Sequence, residues 1–116
     1  MDVTPYLANL RTLQVAPNPA DAARAVAARA RLPDVVAMLV ELGADRVVLF
    51  GSLLYGALHE YSDVDIAVRG LAGDKYWEAL GRAEDLMGRH VDLVPLEQAR
   101  PTLVARIAAV GEVLHG

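Results

Sequence analysis

The run Asp63-Val-Asp-Ile-Ala-Val68 decides how this chain is read. Its side chains alternate with period two, which predicts a strand with Val64, Ile66 and Val68 on one face and Asp63, Asp65 and Ala67 on the other. A strand this rich in β-branched residues is expected to be half buried, yet two carboxylates share one of its faces. At i and i+2 along a strand they stand about 7 Å apart and repel. Left unpaired in a partly buried sheet, each is costly. A divalent cation between them removes that cost; an open, solvent-facing sheet is the plainer alternative. That alternative must also account for Asp92, which holds the equivalent alternating position between Val91 and Leu93.

Outward from this run the chain alternates strand and helix. Upstream, Arg46-Val-Val-Leu-Phe50 is a strand by composition, Gly51-Ser52 breaks it, and Leu53 to Leu58 reads as a short helix. Downstream, Gly70 and Gly73 mark a loop. Asp74 is expected to cap a helix from about Lys75 to Met87, with Tyr76, Leu80 and Ala83 on one face and Gly88 as its stop. His90 to Val94 is a third strand, Pro101 to Val110 a helix, and Val113-Leu114 a short final strand. Toward the N-terminus, Val35, Met38, Leu39 and Leu42 recur at helical spacing in a helix that starts at Pro33-Asp34 and stops at Gly43. Val15-Ala-Pro-Asn-Pro19 is a loop between a short helix, Thr4 to Leu13, and an alanine-rich helix capped by Asp21 and running to about Arg31. Arg11, Arg24, Arg29 and Arg31, which fall in this N-terminal region, read as solvated helix surface. The pattern predicts an α/β (α+β) fold, a small mixed sheet with helices packed on one face. The expected layout is one compact domain, with residues 1–32 an N-terminal helical extension and residues 33–116 the main unit.

Composition narrows the function. At 116 residues the chain has room for one domain, and 54% hydrophobic with 22% charged residues excludes wholesale disorder. A net charge of −4 argues against direct nucleic-acid binding and against a template-using polymerase. It leaves a nucleotide substrate open, because a metal supplies positive charge locally. With no cysteine there is no disulfide, thiolate zinc site or cysteine nucleophile. The opening Met1-Asp-Val-Thr-Pro5 lacks the features of a signal peptide, and no apolar run approaches the ~20 residues of a membrane span, so a cytoplasmic protein without membrane contact is expected.

The candidate chemistry gathers around the acids. Asp63, Asp65 and Asp92 on neighbouring strands make an all-oxygen donor set of the kind magnesium prefers. Gly51-Ser52, between a strand and a helix, lets an anion approach the backbone, and the serine hydroxyl adds a donor. His59, His90 and His115 read as exposed side chains rather than ligands. Tyr76 and Trp77 read as packing residues before base-stacking ones, and Tyr55 lies inside the Gly-Ser loop.

Phe50-Gly-Ser-Leu-Leu-Tyr-Gly56, Tyr61-Ser-Asp-Val-Asp-Ile66 and His90-Val-Asp-Leu-Val94, taken in order, resemble the minimal nucleotidyltransferases of the polymerase-beta superfamily over roughly Leu39 to Leu96. The resemblance implies a polymerase-beta-like nucleotidyltransferase fold. It implies that Asp63 and Asp65 hold two magnesium ions with ATP or another nucleoside triphosphate, that Asp92 completes the second metal site and serves the acceptor hydroxyl, and that Gly51 and Ser52 grip the departing phosphates. It implies AMP transfer to a hydroxyl acceptor, a tyrosine of a HEPN-type toxin for which such proteins are antitoxins. A binding module that neutralises its partner by docking alone is the alternative, and self-association or assembly with that partner stays open. One departure stands out: many members carry an arginine just after the Gly-Ser pair, where this chain has Leu53, Leu54 and Tyr55. Arg69 and Lys75 are the candidates to replace it.

Overall fold

The structure, a computed structural model, describes residues 18–116. The expected helix Thr4 to Leu13 and Arg11 lie outside them. Four strands, β1 (Arg46–Phe50), β2 (Val64–Arg69), β3 (Val91–Pro95) and β4 (Glu112–His115), form one sheet in the order β3-β2-β1-β4. Three α-helices accompany it: α1 (Pro19–Glu41), α2 (Tyr76–Met87) and α3 (Pro101–Val110). Adjoining pairs run antiparallel except β2 with β3, which are parallel. The mixed α/β architecture expected from the alternation is the one observed.

The alternation along the strands sorts the sheet into two faces. Val47, Leu49, Val64, Ile66, Val68, Val91 and Leu93 are buried in the main core with α1 and α2. Helix α3 packs on the other face, where Ile107 meets Val48 and Ala67, with Phe50, Leu96 and Leu103 at the margin. The helices therefore lie two on one face and one on the other, not all on one face as expected, because Val48 and Ala67 give the second face an apolar patch that Ile107 covers. Ala67, of small volume, leaves room there for an apolar helix, while Asp65 on the same face stays only half buried.

Helix α1 differs most from expectation. Two helices meeting near residue 32 are in fact one helix of 23 residues with Pro33 inside it. The expected boundary between residues 32 and 33 thus falls within a continuous element. Pro33 removes one backbone hydrogen bond, at a cost of about 3 kcal/mol. Leu32, Val35, Met38 and Leu39, all buried on one stripe, return about 1.5–3 kcal/mol each, so burial outweighs the break. The cap is Asn18, whose side chain accepts from the Ala20 N–H at 2.8 Å, with Pro19 at the first turn, rather than Asp21.

Asp21 acts elsewhere. Its carboxylate pairs with Arg24 at 2.8 Å and His59 Nδ1 at 2.7 Å, and its carbonyl accepts from the Leu58 N–H at 3.2 Å. The Arg89 guanidinium donates to the carbonyls of His59 and Ser62 at 3.0 and 2.7 Å. The loop between the Gly-Ser turn and β2 is therefore held from two sides. Arg29 is not free in solvent either; it makes a two-pronged pair with Glu112 of β4, at 3.2 and 2.9 Å, tying the edge strand to α1.

At α2, Asp74 makes no capping hydrogen bond. It sits in a 3-10 turn, Gly73–Lys75, that leads into the helix. Gly88 ends α2 in the left-handed conformation, as expected. Pro33→Ala is expected to restore the missing helical bond and stabilise the protein by about 1–2 kcal/mol; urea unfolding measures it, and a loss of stability would show that the proline ring contributes more than the bond it removes.

Candidate active site

Strand register collects the acids and the Gly-Ser turn at one end of the sheet. In the antiparallel pair Phe50 stands opposite Asp65, so Gly51 emerges alongside β2. In the parallel pair Asp65 stands opposite Asp92, on strands about 4.8 Å apart. Asp63 lies two residues before Asp65, just outside β2. All five residues singled out in the sequence thus lie at the C-terminal end of β1 and the N-terminal ends of β2 and β3. Asp63, Asp92 and Ser52 are exposed and Asp65 is half buried.

Gly51 and Asp65 are fitted to each other. Gly51 has φ 78 and ψ −159, a region open essentially to glycine alone. A Cβ placed there would overlap Asp65 Oδ2 and lie 2.8 Å from its Cγ. The carboxylate therefore lies directly over a bare stretch of backbone. The turn continues as a 3-10 helix, Ser52–Tyr55, in place of the expected helix to Leu58; Gly56 ends it in the left-handed conformation.

The Asp65 carboxyl is pushed up from its ordinary 3.8 to about 6, first by burial, then by the charges of Asp92 and Asp63. It makes no hydrogen bond or ion pair with a described residue. A half-buried carboxylate pressed by two others is chemically suited to a hard cation, and the donor set is all oxygen. As the side chains stand, no group of three histidine, aspartate or glutamate residues among the described residues is close enough to hold an ion. The backbones are in register; side-chain rotation would have to bring the oxygens together.

A cavity of about 240 Å³ opens beside this carboxylate, lined by Phe50, Gly51, Tyr55 and Asp65 from the sheet side and by Leu103, Arg106, Ile107 and Val110 from α3. Arg106 was not singled out in the sequence. Its signal was there: Leu103, Ile107 and Val110 recur at helical spacing, and Arg106 falls on the same face. The candidates Arg69 and Lys75 lie elsewhere. Arg69 is four residues further along β2, about 13 Å away, and pairs with Asp45 at 2.9 Å. Lys75 follows in the turn beyond that far end. Tyr76 donates to the Leu93 carbonyl at 2.8 Å, and Trp77 lines a separate cavity with Leu71 and Pro95, so neither reaches the Gly51 turn. His90 bonds Glu84 at 3.2 Å.

With a sheet of this order, acids at the starts of two parallel strands and a Gly-Ser turn beside them, the chain belongs to the nucleotidyltransferase domain family, which it matches over residues 32–113. Among individual proteins, it is 36% identical over 75 residues to the protein adenylyltransferase MntA of Shewanella oneidensis, covering 60% of this chain and 52% of that one. The chain thus spans about half the length of this curated relative. It is also similar to a chain in a crystal structure of a toxin-antitoxin with AMP-PNP, with 29% identity, a TM-score of 0.65 and 72% of each chain covered. A chain in the structure of tri-AMPylated Shewanella oneidensis HEPN toxin in complex with MNT antitoxin matches at 26% identity and a TM-score of 0.60, covering 77% of this chain and 72% of that one.

Two outcomes test this geometry. Gly51→Ala is expected to destabilise by about 2–4 kcal/mol, from its backbone conformation and from the overlap with Asp65, as read by denaturant unfolding. The Asp65 carboxyl has a raised folded-state pKa, so the folded state binds its proton more tightly and stability falls as pH rises from about 4 through 6. Asp65→Asn is therefore expected to stabilise the metal-free protein by about 1–2 kcal/mol above pH 7, allowing for solvent screening, and by nothing near pH 4. Thermal melts across that range measure it; a gain independent of pH would assign the effect to packing.

Proposed function

We propose that this chain transfers AMP from ATP to a hydroxyl group, and that the acceptor is a tyrosine of a HEPN-type toxin partner for which it is the antitoxin. The observation that carries the reading is the register that sets Asp65 beside Asp92 and next to the Gly51 turn. The relatives add support: one is named a protein adenylyltransferase, and another is an antitoxin in complex with an AMPylated HEPN toxin.

In this reading Asp63, Asp65 and Asp92 would hold magnesium, two ions with the nucleotide bound. Magnesium supplies positive charge to the α-phosphate and to the departing pyrophosphate. The bare backbone at Gly51 lets the polyphosphate lie against the chain, and the Ser52 hydroxyl donates to it. Asp92, exposed at the start of β3, accepts the proton of the attacking hydroxyl. The new bond joins the acceptor oxygen to the α-phosphorus; the bond to the bridging oxygen of the β-phosphate breaks, and pyrophosphate leaves. The substrates of this reaction are cytoplasmic, and we place the protein there; among the described residues no helix is long and apolar enough to cross a membrane.

The test is incubation with the HEPN-type partner, ATP and magnesium, followed by intact-mass measurement. Addition of one or more AMP to the partner is expected. The double variant Asp63→Asn with Asp65→Asn is expected to lose transfer by at least about 10³-fold while retaining its fold. An unmodified partner that is nonetheless bound and silenced would establish neutralisation by docking instead. Ser52→Ala is expected to raise the KM for ATP more than it lowers kcat.

A further inference from the structure

The residues after the Gly-Ser turn bring no cation to the cavity beside Asp65: they are Leu53, Leu54 and Tyr55. A polyphosphate there would meet a carboxylate on one side and need a positive group on the other. Arg106 is the basic residue that lines this cavity, together with Gly51, Tyr55 and Asp65. It reaches the cavity from α3, on the opposite side from the strands.

Two features set Arg106 apart from an ordinary surface arginine. It is exposed but stands next to Ile107, the buried residue by which the helix packs on Val48 and Ala67, and so at the edge of the cavity rather than on the open side of α3. Its guanidinium is also uncommitted. Arg24, Arg29, Arg69 and Arg82 are ion-paired, and Arg31 and Arg89 donate to backbone carbonyls; Arg46 and Arg100, likewise without a partner among the described residues, do not line this cavity. Arg106 makes no ion pair or hydrogen bond with a described residue, even though it shares a cavity with the Asp65 carboxylate.

We propose that Arg106 is this chain's phosphate-gripping guanidinium: it binds the β- and γ-phosphates of the triphosphate from α3, in place of an arginine in the loop after Ser52. A planar guanidinium offers two parallel N–H donors to a phosphate, and the Tyr55 hydroxyl, lining the same cavity, adds a third. The role rests on the nucleotidyltransferase reading of the site. It makes the packing of α3 part of substrate binding, because the backbone that carries Arg106 is placed by Leu103 and Ile107.

Calorimetric titration of the full chain with AMP-PNP and with AMP, both with magnesium, separates the possibilities. Arg106→Ala is expected to weaken AMP-PNP binding about tenfold or more and to leave AMP binding within about twofold. Arg106→Lys, which keeps the charge without the fork, is expected to fall between. Because Arg106 is exposed, an unchanged melting temperature is expected and verifies the fold. Equal AMP-PNP affinity in Arg106→Ala and wild type overturns this role and leaves the nucleotidyltransferase reading standing. Equal losses for AMP-PNP and AMP also overturn it, assigning Arg106 to the nucleoside or α-phosphate. Wild-type protein that fails to bind AMP-PNP overturns both readings.

Discussion

The close approach of the Asp65 carboxylate to the backbone of Gly51 is the constraint around which this end of the molecule is built. It requires a residue without a side chain at the end of β1, in a backbone conformation that other residues resist. It requires the antiparallel register that brings Phe50 opposite Asp65. It also leaves a carboxylate half buried beside Asp92 and within range of Asp63, with its proton affinity raised accordingly. A sheet does not gain stability by collecting like charges. The main core, on the opposite face of the same strands, supplies the stability that lets the charges stay.

That division explains which helices do what. Helices α1 and α2 bury the valine and leucine face and fix the strands. Helix α3 covers only part of the acidic face, through a small cluster around Ile107. The part it leaves uncovered is the cavity beside Asp65. A larger cavity, about 740 Å³ between α1 and β4, is lined by Leu32, Val36, Val40 and Leu114 and lies on the far side from the acids. Charge and backbone conformation, rather than size, single out the cavity beside Asp65.

Much of this was legible in the sequence. The strands were read to within a residue or two because their β-branched alternation is strong, and α3 was read to its observed ends because Pro101 and Gly111 bracket it. Gly51, Ser52, Asp63, Asp65 and Asp92 stand out in the sequence, the acids because they interrupt otherwise apolar strands and the Gly-Ser pair because it breaks one, and the fold gathers them at one end of the sheet. Three things were not legible. Pro33 reads as a boundary in any local argument; only the burial of residues on both sides of it, from Ala25 to Leu39, makes one helix of two. Asp21 looks like a cap because its local position fits one, but its carboxylate answers to His59, far along the chain. The spacing that sets Arg106 beside Leu103, Ile107 and Val110 can be read locally, but nothing local says that this side of the helix opens on the Gly51 turn.

The tie between Asp21 and the Leu58-His59 segment has a consequence for where this unit can be cut. The family match starts at residue 32, yet the first turn of α1 reaches past it to clasp the loop that leads into β2. A chain trimmed back to that match would keep all three aspartates and the serine. It would lose the strut that, with Arg89, sets the path of the segment just before Asp63. Such a truncation would retain Asp63, Asp65, Asp92 and Ser52 while releasing the support that orders the approach to the first of them.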